Sequence, residues 1–180
     1  AWSMMDAGTM PIRIETARLV LEEFALSDAA FIVDLLNQPS FIEFIGDRGV
    51  RTSTDAERYL REGPMHSYRQ HGHGLLKVSL RDSATPIGMC GLVRRDTLPH
   101  ADIGFALLPQ FWNVGYVTEA ARAAIEDGRR RLGLRQVLGI TSPHNTRSIQ
   151  VLGKLGLQFV EERSLAAGAT PLRIFALEML

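Results

Sequence analysis

The chain predicts an α/β fold carried on one mixed, mostly antiparallel sheet, and three observations support it. The strands of the first half follow one another in hairpin fashion, whereas the second half alternates strands with helices. The 180 residues are 46% hydrophobic and 22% charged, which suits one sizeable core better than two. A single domain over residues 10–180 is therefore expected, with residues 1–9 as a disordered or non-native leader ahead of Met10.

The elements follow in order. Arg18 to Phe24 alternates well enough for a strand, and Ser27-Asp28 is expected to cap a helix that buries Ala29, Phe31, Ile32, Leu35 and Leu36. Phe41 to Ser53 reads as a loop with exposed aromatics. Thr54-Asp55-Ala56-Glu57 opens a second helix towards Gln70, with Tyr59, Leu60 and Tyr68 as apolar positions and Pro64 disturbing its middle. Strands are expected over Leu75 to Leu80, Ile87 to Val93 and Ala101 to Leu108. A helix from Thr118 to Leu132, a strand from Val137 to Thr141, a helix from Thr146 to Leu155 and strands at Phe159 to Arg163 and Arg173 to Met179 complete the chain.

Twenty basic residues balance twenty acidic ones, so no global field draws the protein to nucleic acid or to an anionic membrane. No apolar run approaches the ~18 residues of a membrane span, and a cytoplasmic location is the default expectation. Cys90 is the single cysteine and sits in the apolar run Pro86 to Val93, which reads as a buried, inert thiol. Neither a disulfide nor a Cys/His zinc site is available. His66, His71 and His73 lie near a helix end without metal spacing and read as surface groups.

The most informative stretch runs from Leu107 to Ala121, LLPQFWNVGYVTEAA. A strand ends, a glycine turn follows, and a helix begins with unpaired N–H groups, which is an anion site. The amides of Val114, Gly115, Tyr116, Val117 and Thr118 can hold a pyrophosphate without any arginine. Glu119 would repel a phosphate, so its carboxylate is expected to point away in a structural role. Other phosphate loops fit poorly: GxxxxGK[ST] is absent, and Gly72-His73-Gly74 precedes a strand instead of following one. A second helix start follows Thr141, where Asn145 is a good N-cap, Ile149, Leu152 and Leu155 form an apolar stripe, and Gly156 ends the helix.

Both stretches resemble motifs of the GNAT superfamily of acetyltransferases. The first resembles its acyl-CoA loop, typically Pro, an aromatic pair, Gly-x-Gly, an aromatic, Ala and Thr-Glu-Ala. The second, from Asn145 through Ser148, Leu152 and Lys154 to Gly156-Leu157, is similar to the signature of the branch that includes the ribosomal-protein alanine acetyltransferases. The resemblance extends from Glu15-Thr16-Ala17-Arg18-Leu19 through Ile87-Gly88 and Ala101 to Phe105 to the last strand. Two departures stand out: Asn113 where a glycine is commoner, and Val117 where Gly or Ala usually lets the phosphates approach.

The resemblance implies a GNAT-type domain whose sheet splays between the fourth and fifth of these strands, flanked by about four helices, with acetyl-CoA as co-substrate and no metal. It implies that the backbone of Ala106, Leu107 and Leu108 bonds the pantetheine amides, that Asn113 to Thr118 hold the pyrophosphate, and that Asn145 bonds the pantetheine arm. Ser148 would lie near the sulfur as the acid for the departing thiolate, and Asp102 would be the base that frees the amine, with the Leu107 N–H stabilising the oxyanion. His100 is the alternative base, and a solvated strand residue is the alternative reading of Asp102. The acceptor would be a primary amine of a peptide N-terminus or a small molecule, walled by Phe41, Phe44, Ile45 and Asp47, with Glu43, Gly46, Arg48 and His66 nearby. A catalytically silent acyl-CoA-binding module is the competing function, and an assembly protein that keeps the fold without the cofactor is a further one. Apolar residues of the last strand, Phe175 to Leu180, are a candidate homodimer interface.

Overall fold

A computed structural model describes residues 10–180, so the leader expected at 1–9 lies outside the described residues. Eight strands of the described residues form one sheet: β1 (Arg13–Glu15), β2 (Leu19–Glu22), β3 (Leu75–Leu80), β4 (Pro86–Val93), β5 (Asp102–Leu107), β6 (Gln136–Thr141), β7 (Gln158–Arg163) and β8 (Leu172–Glu178). Their order is β1-β2-β3-β4-β5-β6-β8-β7. Each neighbouring pair is antiparallel except β5 and β6. The hairpins of the first half and the crossover of the second are therefore as the sequence predicts. The short β1, with an exposed Arg13 and Glu15, carries too weak an alternation to be read from sequence.

Among the described residues six α-helices flank the sheet: α1 (Ala29–Leu36), α2 (Pro39–Phe44), α3 (Ser53–Leu60), α4 (His66–His71), α5 (Tyr116–Leu132) and α6 (Thr146–Lys154). Three expectations need correction. Asp28 does not cap α1 with its side chain; its carboxylate accepts from the Ala25 N–H at 2.9 Å and from Lys77 Nζ at 2.9 Å, closing a tight turn ahead of the helix. The segment after Pro39 is not a loop throughout, because Pro39 presets the backbone of α2 and Phe41 buries into the core. Thr52, two residues earlier than expected, caps α3: its hydroxyl accepts from the Asp55 N–H, and the Asp55 carboxylate accepts from the Thr52 N–H, both at 3.1 Å. At Pro64 the helix does not stop. One wide turn over Arg61–Met65 absorbs the missing N–H, and α4 continues from it.

The two faces of the sheet carry separate cores. One face packs Leu76, Cys90, Leu92 and Ile103 under Ala120, Ala121, Ala124 and Ile125 of α5, with Leu152 of α6. The other packs Met89 and Leu108 against Ile32, Leu35, Leu36, Phe41, Ala56 and Leu60 of α1, α2 and α3. Cys90 is fully buried, and burial pushes its thiol pKa far up, so it is no nucleophile. Phe175 is buried too, because its side chain packs into the core with Leu152 and Leu157, and β8 itself is paired on both sides by β6 and β7. The last strand is thus no free edge: Phe175 is buried, Leu177 and Met179 are half-buried and Leu180 is exposed, while β1 and β7 form the two edges of the sheet. No helix among the described residues is long and apolar enough to cross a membrane.

What positions the site is the junction of β5 and β6. Their parallel ladder has a single register pair, Asp102 with Leu138, and the strands then part. On its other side β5 is fully paired to β4, from Val93 with Asp102 to Gly88 with Leu107. A Cβ on Gly88 would run into the Ala106 carbonyl oxygen and the Leu107 Cα, so only glycine lets these two backbones close. Gly88→Ala is expected to lower the unfolding free energy by about 1–3 kcal/mol, read by urea denaturation; a variant as stable as the parent would contradict the contact.

Candidate active site

Strand alternation decides what β5 offers to the opening. The Leu108 N–H donates to the Ile87 carbonyl oxygen at 2.8 Å, which fixes the phase of the ladder: Ala106 and Leu108 turn their backbone groups to β4, and Phe105 and Leu107 turn theirs to the opening. Of the three residues expected to bond a pantetheine arm, Leu107 alone has its N–H available there. Its carbonyl oxygen already accepts from Trp112 Nε1 at 3.0 Å.

The chain then turns through Pro109–Phe111 and enters α5. Asn113 has φ +64° and Gly115 φ +84°, two left-handed residues in three. This accounts for the asparagine found where a glycine is commoner, since Asn tolerates that region better than other residues with a side chain. The first helical bond at this end is the Glu119 N–H to the Gly115 carbonyl oxygen. The N–H groups of Asn113, Val114, Gly115, Tyr116, Val117 and Thr118 have no hydrogen-bond partner among the described residues. Val117 is half-buried and packs towards the α5 core while also lining the cavity.

Glu119 points away from this row, in the role read for it. Its carboxylate accepts from Thr16 Oγ1 at 2.6 Å, from the Arg18 N–H at 3.0 Å and from Arg18 Nε at 2.7 Å. Burial alone would raise its pKa, but these bonds from Thr16 and Arg18 outweigh it and hold the carboxyl below the ordinary glutamate value. Arg18 also donates to the Val114 carbonyl oxygen at 3.0 Å and lies 4.4 Å over the Tyr116 ring. Arg147 flanks the other side, 4.1 Å over the Trp112 ring with Nη1 3.4 Å from Asn113 Oδ1. Sequence reasoning missed both arginines, because neither lies in the glycine turn that signals the site.

Two cavities meet at this end of the sheet. One, of about 180 Å³, runs along Leu107, Trp112, Gly115, Thr118 and Arg147. The other, of about 220 Å³, holds Asp102, Arg95, Arg48 and Tyr59. Phe41, Phe44, Ile45, Phe105, Asn145 and Ser148 line both. Asn145 caps α6 by accepting the Ser148 N–H on Oδ1 at 3.2 Å, which leaves its amide group to act as a donor. Asp102 stands at the start of β5 and is only 1% exposed, which excludes the solvated-strand reading. Burial raises its pKa above the ordinary aspartate value, while Arg95, with Nε 3.0 Å from Oδ1, opposes the rise.

Other expected residues fall elsewhere. Asp47 lines neither cavity; its carboxylate is held by Arg51 at 2.6 Å and by the Gly49 N–H at 2.9 Å. His100 lines a separate groove on the far side with His71 and His73, so it does not share the Asp102 cavity. His66 and Glu43 are exposed and line neither cavity. His73 is buried rather than on the surface: its Nδ1 lies 3.0 Å from the Leu92 carbonyl oxygen, and burial lowers its pKa.

The sequence over residues 18–158 matches the family model described as an acetyltransferase (GNAT) domain. The chain belongs to the GNAT acetyltransferases. It is 26% identical over 147 residues to the uncharacterised N-acetyltransferase YnaD of Bacillus subtilis, covering 82% of this chain and 83% of that one. Its fold matches an acetyltransferase from Agrobacterium tumefaciens with a TM-score of 0.81 at 20% identity, over 97% of this chain and 99% of that one. It also matches RimL, a ribosomal L7/L12 alpha-N-protein acetyltransferase solved with coenzyme A, with a TM-score of 0.78 at 13% identity, over 93% and 98% of the two chains. This GNAT chain is thus an N-acetyltransferase of a family that uses acetyl-CoA.

The tether of Glu119 to Thr16 and Arg18 gives a pH-dependent expectation. A depressed carboxyl pKa contributes stability that is complete above the unfolded value of about 4.3 and is lost as pH falls through the lower folded value. Glu119→Gln should therefore cost about 1 kcal/mol at neutral pH and progressively less in acid, as measured by denaturation at a series of pH values. An equal cost at pH 7 and pH 3 would contradict this.

Proposed function

We propose that this enzyme moves an acetyl group from acetyl-CoA directly to a primary amine, of a peptide N-terminus or a small molecule, with Asp102 as base and Ser148 as acid. The observation that carries the reading is the row of six unpartnered N–H groups from Asn113 to Thr118, continuous with the unpaired edge of β5 at Leu107. These groups suit a diphosphate through main-chain donors and the positive end of a 17-residue helix. The residues present therefore fit the co-substrate, and acetyl-CoA would supply an activated thioester at the mouth of the Asp102 cavity. Val117 does not spoil this fit in principle, because the bonds come from the main chain.

The chain's own groups account for the rest. An alkylamine of pKa near 10 is only ~0.1% neutral at pH 7, so the acceptor must lose a proton before or during attack. Asp102, buried and with its pKa raised by that burial, is a stronger base than an exposed carboxylate, and Arg95 opposes the rise. As the new C–N bond forms, the proton passes from nitrogen to Asp102, directly or through water. The Leu107 N–H stands at the far end of β5 from Asp102, about 17 Å along the strand, so it serves the arm. The Phe105 N–H, turned to the opening where both cavities meet, is the nearer donor for the oxyanion that develops on the carbonyl oxygen. When the C–S bond breaks, Ser148 protonates the thiolate and recovers its proton from solvent. Asn145 orients the arm on which the sulfur is carried.

Two measurements test this reading. Coenzyme A should raise the melting temperature by mass action, and no shift at saturating concentration would contradict the cradle. Asp102→Asn should retain that shift while kcat falls about 10²–10⁴-fold and the acid limb of the rate profile disappears. A variant with parental turnover would remove Asp102 from the reaction. A CoA-induced shift with no transfer to any amine would favour a silent binding module.

A further inference from the structure

The acceptor cavity has a charge of its own that the cofactor cradle does not explain. Its charged lining consists of two guanidiniums, Arg48 and Arg95, and one carboxylate, Asp102. Asp102 is almost wholly buried and touches Arg95 through Nε alone, at 3.0 Å. That end-on contact leaves both Nη groups of Arg95 without a hydrogen-bond partner among the described residues, and Arg48 has neither a hydrogen bond nor an ion pair there. The nearest carboxylate in sequence, Asp47, is turned to Arg51 and lines neither cavity. With two guanidiniums offering free N–H edges against one carboxylate, the cavity carries a net positive charge, so it favours an acceptor that brings an oxyanion beside its amine over one that brings cations alone.

We propose that the acceptor is an amine that carries its own carboxylate close by, with the amine against Asp102 and the carboxylate on the free guanidinium edges of Arg95 and Arg48. This rests on the acetyl-transfer reading above and narrows its acceptor. The contact between Arg95 and Asp102 sets the spacing: an acceptor that engages both must hold its amine and its anion a few bonds apart, as an α- or β-amino acid does. Phe41, Phe44, Tyr59 and Phe105 wall the same space, so an apolar side chain on that amino acid is favoured over a polar one. Polyamines and aminoglycosides, with several cations and no anion, are disfavoured by the same charges.

The test compares matched acceptors with the full chain and acetyl-CoA: L-phenylalanine, phenylalaninamide, phenethylamine and spermidine, with phosphoethanolamine as a phosphate arm. Thiol release should give kcat/KM for phenylalanine at least about tenfold above its amide and its decarboxylated form, and spermidine should be the poorest. Turnover of phosphoethanolamine but not of phenylalanine would replace the carboxylate by a phosphate and overturn the proposal as stated. Arg48→Glu, at an exposed position that folding does not need, should cut the carboxylate-over-amide ratio at least tenfold. Calorimetry of the CoA-loaded protein with the same series gives a readout independent of catalysis. Equal or better use of the amide, phenethylamine or spermidine overturns the proposal, as does the absence of both binding and turnover for phenylalanine. A retained CoA-induced melting shift in that case separates this failure from failure of the cofactor reading.

Discussion

Everything distinctive about this molecule depends on β5 and β6 pairing at one residue and then separating. In an ordinary parallel sheet the backbone of Phe105 and Leu107 would be satisfied by the next strand. Here the ladder ends at Asp102 and Leu138, and the N–H of Leu107 is left at the rim of a cavity. An unpaired polar edge beside an apolar wall is costly unless water or a ligand satisfies it. The same parting opens the space into which Ser148 and Asn145 reach from α6 and Phe41 from α2. One interrupted ladder thus creates a strand edge, a cavity and a route between the two faces of the sheet.

The second constraint is the turn that follows. Left-handed backbone at Asn113 and Gly115 makes the turn that leaves six amides without partners among the described residues, and the tether of Glu119 to Thr16 and Arg18 clamps the first turn of α5 against the β1–β2 connection. The acidic residue that would repel a phosphate is thereby neutralised by an arginine and turned to a structural task. Arg18 and Arg147 each stack on an aromatic ring beside the row of amides, at Tyr116 and Trp112. The positive potential at this end therefore comes from fixed dipoles and from Arg147, since Glu119 offsets the charge of Arg18, within a chain whose net charge is zero.

Much of this was legible in the residues. Hairpin succession and strand–helix alternation place the long strands within a residue or two, and α5, α6 and the Gly156 stop follow from periodicity and caps. The phosphate turn declares itself because a glycine between a strand and a helix has few other uses. Features made by distant parts of the chain were not legible. Nothing local marks Arg18 as the partner of Glu119, 101 residues away, or brings Arg95 to Asp102 across the β4–β5 connection. The six-residue α2 is too short for a helical period to show, and the wide turn at Pro64 reverses the usual meaning of a proline in a helix. Asp47 failed as a cavity residue for a similar reason: proximity in sequence to Phe44 and Ile45 says nothing about the arginine four residues on that captures its carboxylate.

The claim that matters most is that the open edge of β5 and the amides at the start of α5 are one continuous binding surface for the acyl carrier. Amide hydrogen exchange with and without coenzyme A tests it most directly. The account predicts slowed exchange at Leu107 and across Val114 to Thr118 together, with little change in the exposed strand β7. Slowed exchange confined to other parts of the chain, or no change at Leu107 and at the helix start, would contradict it.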